Sequence, residues 1–347
     1  MSASVCLTGI RREELLDILN GWGEKPFRTK QIWSWVHVKL VASIDEMTDL
    51  SKEFRERLKS GFHFCRPRIR LRRQSKDQTI KWLLELSDQA CVEMVFIPEV
   101  DRGTLCVSSQ VGCSLSCPFC HTGTRRLERN LKVEEIVDQV IVARAELQSM
   151  GLRVTNVVLM GMGEPLYNYE SVVKAVRILL DANGLAIGTR KITLSTAGVV
   201  PKLVAVGRDL GVNLAVSLHA VRDDIRDRLV PLNKKFNLYA LKQAVMAYPL
   251  KGGRRVTWEY VMLDGINDTD DDARGLVHYL KGIPSKVNLI PFNPWPGTSF
   301  VPSPMERILR FQEIVGGSGL VTVIRDRRGE DIEAACGQLV GAHEVHP

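Results

Sequence analysis

The chain has 347 residues, of which 45% are hydrophobic, 25% charged and 6% aromatic. These are ordinary globular values and exclude a disordered, collagen-like or coiled-coil chain. No apolar run reaches the ~18 residues of a membrane span, the start MSASVCLTGIRREELL does not read as a secretory signal, and the net charge of +7 favours a polyanionic partner.

Residues 11–60 read as short helices: Arg11 to Trp22, then Gln31–Val41, then Ser51–Ser60. Phe27, Trp33 and Trp35 are expected to pack this small bundle. Arg66, Arg68, Arg70, Arg72 and Arg73 then alternate with apolar residues, as in a strand with one charged face. Strands continue to residue 98, with KWLLEL and VEMVFIP the strongest segments. Residues 1–76 hold 16 basic and 9 acidic residues, whereas residues 77–347 hold 31 of each. The whole charge excess therefore lies in the N-terminal fifth.

From about residue 104 strand-like and helix-like segments alternate. TLCVSSQ precedes a cysteine-rich loop and a helix from Val133 to about Met150. VTNVVLM precedes a helix over Glu170–Leu180, and KITLST one near Pro201–Leu210. NLAVSL is followed by helical stretches to about Tyr248, RVTWEYVML by Asp270–Leu280, and VNLIPF by Pro304–Val315, with LVTVIRD last. This alternation predicts an α/β fold with a parallel sheet and crossover helices. Six or seven such units in ~220 residues suit an incomplete, TIM-like (β/α)6 barrel better than a closed eight-stranded one, which takes ~250. An open doubly wound sheet is the alternative. The expected organisation is a helical region over 1–65, a β extension over 66–98 and a barrel core over 99–347.

There are eight cysteines, and a disulfide framework is not expected in a reducing compartment. Cys6, Cys65 and Cys91 read as small side chains without chemistry. VGCSLSCPFCHTG places Cys113, Cys117 and Cys120 on one loop after the first strand of the α/β region. Three thiolates so spaced bind three irons of a 4Fe–4S cluster and leave the fourth open to a substrate. Structural zinc wants four ligands, and the nearest fourth candidate, His121, adjoins Cys120 awkwardly.

The triad, with Phe119 before its last cysteine, resembles the radical S-adenosylmethionine (SAM) superfamily. Gly161-Met162-Gly163-Glu164-Pro165, after the strand VTNVVLM, resembles its glycine-rich SAM motif; such a run alone is usually only a turn. Ser195 ends the third strand and Ser217-Leu218-His219 the fourth, at the same rim. TLCVSSQVGC, MGMGEP, LSTAGVVP, VSLHA, IPFNPWPG and DIEAACGQL together resemble the RlmN/Cfr family of radical SAM RNA adenine methyltransferases. The match runs from FRTKQIW to Leu339. HTGT after Cys120 and the long N-terminal region lean toward RlmN.

The resemblance implies one 4Fe–4S cluster on Cys113, Cys117 and Cys120, and two SAM per turnover. One SAM methylates Cys336, and the other yields a radical that activates the methyl group. Cys106 is then the resolving thiol, forming a transient disulfide with Cys336. Glu93 holds the place of the general base, although a lone strand glutamate more often faces solvent. Gly163, Glu164, Ser195, Ser217, Leu218, His219 and Asn293 fall where the family contacts SAM. The implied substrates are 23S rRNA at the peptidyl transferase centre and tRNA at the adenine 3′ of the anticodon. The implied partners are an electron donor such as flavodoxin or ferredoxin, with no membrane, in a cytoplasmic monomer. The N-terminal region is expected to bind RNA. A Cfr-like enzyme acting on carbon 8, and a non-catalytic iron–sulfur or zinc RNA-binding protein, are the alternatives.

Two departures from the family pattern stand out. Gln78 replaces a glycine in Asp77-Gln78-Thr79, which matters if the turn needs a positive φ. Met94 and Phe96 stand where threonine and tyrosine are frequent, beside Glu93.

Overall fold

The computed structural model describes residues 4–341. A short strand β1 (Val5–Cys6) pairs in parallel with β2 (Phe62–His63), and three helices lie between them: α1 (Arg12–Gly21), α2 (Phe27–His37) and α3 (Lys52–Gly61). Helix α2 starts four residues earlier than expected and ends at His37. Pro26, whose ring fixes φ, sits at its N-cap, and Leu40 at φ 60° turns the chain just beyond its end. Of the three aromatics expected in this bundle, only Trp33 is buried. Phe27 is 48% exposed, and Trp35 donates to Asp49 at the surface. Trp33 instead packs at a tilt of 48° against His37, with centroids 4.0 Å apart, and abuts Gly184 of the α/β region.

Four antiparallel strands follow: β3 (Arg68–Gln74), β4 (Ile80–Glu85), β5 (Cys91–Glu99) and β6 (Arg102–Cys106). Strand β3 forms one edge of a ten-stranded sheet. A register shift between Ile69 and Leu71 interrupts the expected alternation, so Leu71 as well as the arginines is exposed. Arg66 is a correction to the charged-face expectation. It precedes the strand, donates to the Leu40 and Val41 carbonyls at 2.9 and 3.0 Å, and pairs with buried Asp138 at 3.8 Å. Gln78 does sit at positive φ, 68°.

The short ladder β7 (Gln110–Val111) with β8 (Arg129–Asn130) closes the cysteine loop. Thereafter α4 (Val133–Gln148), β9 (Asn156–Leu159), α5 (Tyr169–Leu180), β10 (Ile192–Thr196), α6 (Val200–Leu210) and β11 (Asn213–Ser217) alternate. Then come α7 (Asp223–Leu229), α8 (Leu238–Met246), β12 (Val256–Met262), α9 (Asp270–Leu280), β13 (Ser285–Pro291), α10 (Met305–Gly317) and β14 (Val321–Ile324). Strands β6, β9, β10, β11, β12, β13 and β14 lie side by side in that order, all parallel. A doubly wound sheet reverses strand order at a switch point. This one never reverses, so right-handed crossovers put every helix on one face. Among the described residues β14 pairs only with β13. The sheet is therefore a barrel that does not close. Strand β12 is buried at every position, including Glu259. Among the described residues no helix is long and apolar enough to cross a membrane.

Candidate active site

The C-terminal ends of β9 to β13 open onto one cavity. It is lined by Cys113, Cys117 and Cys120, by Gly163, Glu164, Ser195, Ser217, His219 and Asn293, and by Glu259, Arg325 and Cys336. The cysteine loop is folded tightly. Gly112 has φ 73°, and a Cβ there would lie 2.1 Å from the Arg126 carbonyl, so only glycine lets the two limbs meet. Burial pushes Cys113 up to about 12 and raises Cys117 and Cys120 as well. Thiolates persist in such a place only beside bound metal.

Among the described residues the triad's sulfurs do not all lie within 4.8 Å of one another; a single cysteine–histidine group elsewhere does. Ligands of one zinc ion must converge that closely, whereas ligands of a cubane each hold a separate iron. The donor set therefore fits a cluster better than zinc. His121 stacks flat on Trp295, 4.7 Å between centroids.

The glycine-rich turn is equally constrained. Gly163 sits at φ 99°, and a Cβ would strike the Gln110 Cβ at 2.5 Å. Gln110 Oε1 accepts from the Glu164 N–H at 3.0 Å and from Ser114 N–H at 3.1 Å, tying this turn to the cysteine loop. Glu164 is buried. Its oxygens accept from Leu166 N–H at 3.0 Å and Ala197 N–H at 2.8 Å. Burial pushes His219 down to about 3, and its Nδ1 accepts from Val261 N–H at 3.0 Å. The ring is thus neutral with its proton on Nε2. Asn293 Oδ1 is buried without a hydrogen-bond partner, the condition expected where a polar ligand belongs, and Glu259 Oε2 has no hydrogen bond but faces Arg325 at 3.8 Å.

Leu218, between Ser217 and His219, has its side chain buried in the core and presents only its backbone to the rim. Its carbonyl accepts from Arg226 Nε at 3.0 Å. Arg226, buried, also donates to the Ala197 and Ser217 carbonyls at 2.8 and 3.1 Å, clamping the ends of β10 and β11.

Cys106 and Cys336 line a second, adjoining cavity with Met160, Asn293 and Arg325. Both thiols are free. Burial, and then Cys336, push Cys106 up to about 12. Arg325 faces both sulfurs and Glu259, and its pKa is raised, foremost by Cys336. The Cys336 segment is held from two sides. His121 N–H donates to the Gly337 carbonyl at 2.7 Å, and Asn293 Nδ2 to the Cys336 carbonyl at 3.3 Å. On the other side Asp77 accepts from Gly329 N–H at 3.0 Å, and Lys76 N–H donates to Asp331 at 3.2 Å.

Glu93 lines neither cavity. It is buried, with Oε1 3.3 Å from Lys81 Nζ and Oε2 accepting from Val340 N–H at 2.7 Å. Lys81, Gln110, Arg226 and Arg325 were not singled out in the sequence. Lys81 had a signal: it is the one cation inside the apolar run of β4, two residues out of register with Glu93 across the ladder, hence on the same face. Arg325 lies one residue past β14 and had none.

Two family models match: the ribosomal RNA large subunit methyltransferase N-terminal domain over residues 5–63 and the radical SAM superfamily over residues 107–277. A curated relative from Magnetococcus marinus, a dual-specificity RNA methyltransferase RlmN, is 63% identical over 97% of this chain and 95% of its own. One of the same name from Rhodospirillum rubrum is 51% identical over 97% of this chain and 80% of its own. A solved radical SAM methyltransferase from Sphaerobacter thermophilus superposes with a TM-score of 0.93 at 41% identity, covering 97% of this chain and all of that one.

Proposed function

Because this chain belongs to the RlmN family of radical SAM RNA methyltransferases, we propose that it methylates carbon 2 of adenine in 23S rRNA and in tRNA, by way of a methylated Cys336. The observation that carries this reading is the meeting of two free cysteines, Cys106 and Cys336, beside Arg325 in a cavity adjoining that of the cysteine triad. Neither thiol has a purpose in a protein that only binds RNA.

When bound, one cluster on Cys113, Cys117 and Cys120 and two SAM molecules supply the methyl group and its radical activation. Gly163, Glu164, Ser195, Ser217, His219 and Asn293, which line the cavity of the cysteine triad, would hold SAM. Cys336, exposed where the two cavities meet, takes the methyl group as a thiolate opposite the Arg325 guanidinium. Once the methylene carbon has bonded to the ring, the radical adduct would have to lose both one electron, to the oxidised cluster or its electron carrier, and the proton of ring carbon 2, which Glu93 would take. Cys106 then attacks the Cys336 sulfur. The S–S bond forms, the bond from sulfur to methylene breaks, and the methylene takes a proton to become the methyl group. The resulting disulfide needs a thiol reductant before the next turnover, and the cluster needs a flavodoxin- or ferredoxin-type electron donor. A ring carbon is reachable only in an unstacked base, and the basic N-terminal region is suited to hold the flanking phosphates.

Reconstituted enzyme incubated with 23S rRNA fragments and with tRNA tests this reading, followed by digestion to nucleosides and mass analysis. The expected product is 2-methyladenosine from both RNAs. 8-Methyladenosine would place the chain with Cfr-like enzymes instead.

A further inference from the structure

We propose that Cys6, His63 and Cys65 form a zinc site, separate from the cysteine triad, at the seam between the helical region and the barrel. Parallel pairing of β1 with β2 sets Cys6 opposite His63, and Cys65 follows two residues later. Their ligand atoms all lie within 4.8 Å of one another, a convergence no other group of three among the described residues shows. Zinc takes thiolate sulfur at ~2.3 Å and imidazole nitrogen at ~2.0–2.1 Å, so three such donors must gather this closely. Two soft sulfurs and an imidazole suit zinc and discriminate against magnesium or calcium.

The surroundings match a built site. Ser4 Oγ lies 2.8 Å from His63 Nδ1, a contact of the type that fixes the ring of a metal-bound histidine. Thr8 Oγ1 lies 3.3 Å from the Cys6 sulfur and donates to Asp138 Oδ2 at 3.2 Å. Asp138 is fully buried and its Oδ1 has no hydrogen-bond partner. Asp138 and Glu134 both come from α4, and Asp138 Oδ1 faces Arg66 Nε at 3.8 Å. His63 is exposed, which gives an ion a way in and leaves the fourth tetrahedral position to water.

The placement gives the ion a role. Cys6 comes from the first strand of the helical region, His63 from its last and Cys65 from just beyond it, while the carboxylates belong to the barrel's first helix. One ion would fasten both ends of the RNA-facing region and dock them on the barrel. Binding energy at such a site is folding energy.

Elemental analysis of the cluster-loaded full chain tests this without reading activity. The expected result is one zinc per chain beside the cluster iron. Cys6→Ser and His63→Ala should each lose the zinc and keep the iron. Added zinc should raise the melting temperature of the parent chain, as a ligand of the native state does, but not that of Cys6→Ser. A second form, with Cys113, Cys117 and Cys120 all changed to alanine, should still bind one zinc, lost on adding Cys65→Ser. Zinc absent from both forms would overturn the proposal. So would a Cys6–Cys65 disulfide in the peptide map of the metal-free chain, which would make the pair a redox couple.

Discussion

Lys81 Nζ stands 3.3 Å from Glu93 Oε1 and also donates to the Glu333 carbonyl at 2.9 Å, three residues before Cys336. One ammonium thus joins the proposed base to the segment bearing the proposed methyl carrier. Both side chains are less than a tenth exposed. Removing one partner of a buried pair leaves the other charge unanswered and costs about 3–5 kcal/mol. Lys81→Met should therefore lower unfolding free energy in urea by that amount; a loss below about 1 kcal/mol would show that the pair does not hold this corner. Glu93→Gln should instead cut RNA methylation about 10²–10⁴-fold while labelled methyl still accumulates on Cys336.

Arg325 is the cation facing Cys336 and Cys106. Arg325→Met should slow methyl transfer to Cys336 by roughly a hundredfold, the scale of losing one aimed charged donor. A methyl-transfer rate within about threefold of the parent would mean that Arg325 acts only in packing. Arg325→Lys should retain more activity than Arg325→Met.

Arg68, Arg70 and Arg72 are exposed on the sheet edge, where charge also discourages edge-to-edge pairing. Arg70 is partly engaged by Glu85 at 3.1 Å. Changing all three to glutamine should weaken RNA binding and reduce the slope of log affinity against log salt by about 2–3, at roughly 0.7–0.9 for each phosphate no longer neutralised. SAM cleavage without RNA should be unaffected. Unchanged affinity would leave edge protection as their purpose.

His37 is fully buried, with neither ring nitrogen hydrogen-bonded. Burial pushes it from 6.5 down to about 3. The unfolded chain therefore takes up a proton between these values that the folded chain refuses. The residue's contribution is fully present above pH 6.5 and falls by about 1.4 kcal/mol per pH unit as pH drops through that window. His37→Leu should flatten the acid limb of a urea-unfolding profile by about 2 kcal/mol at pH 5. A profile parallel to that of the parent would contradict the assignment.

Much of the site was legible because its chemistry is local in sequence. Cys113, Cys117 and Cys120 share one loop, and Gly163 and Glu164 share one turn. The open barrel followed from alternating segments, though only the unreversed strand order separated it from a doubly wound sheet. What escaped depends on register and long-range packing. Arg226 reaches carbonyls on two strands, and Cys6 and Cys65 looked inert because 59 positions separate them. Gln78 shows the reverse: the missing glycine was visible, and the turn does require positive φ, so Gln78 bears that conformation's cost while Asp77 beside it anchors Gly329.

If Cys336 carries the methyl group and Cys106 releases it, removing Cys106 must strand the RNA on the enzyme. Peptide mass analysis of the Cys106→Ala variant after anaerobic turnover with substrate RNA reads this outcome. The expected species is a Cys336 peptide joined through one methylene to an adenine nucleotide. Normal methylation with no such adduct would refute Cys106 as the resolving thiol.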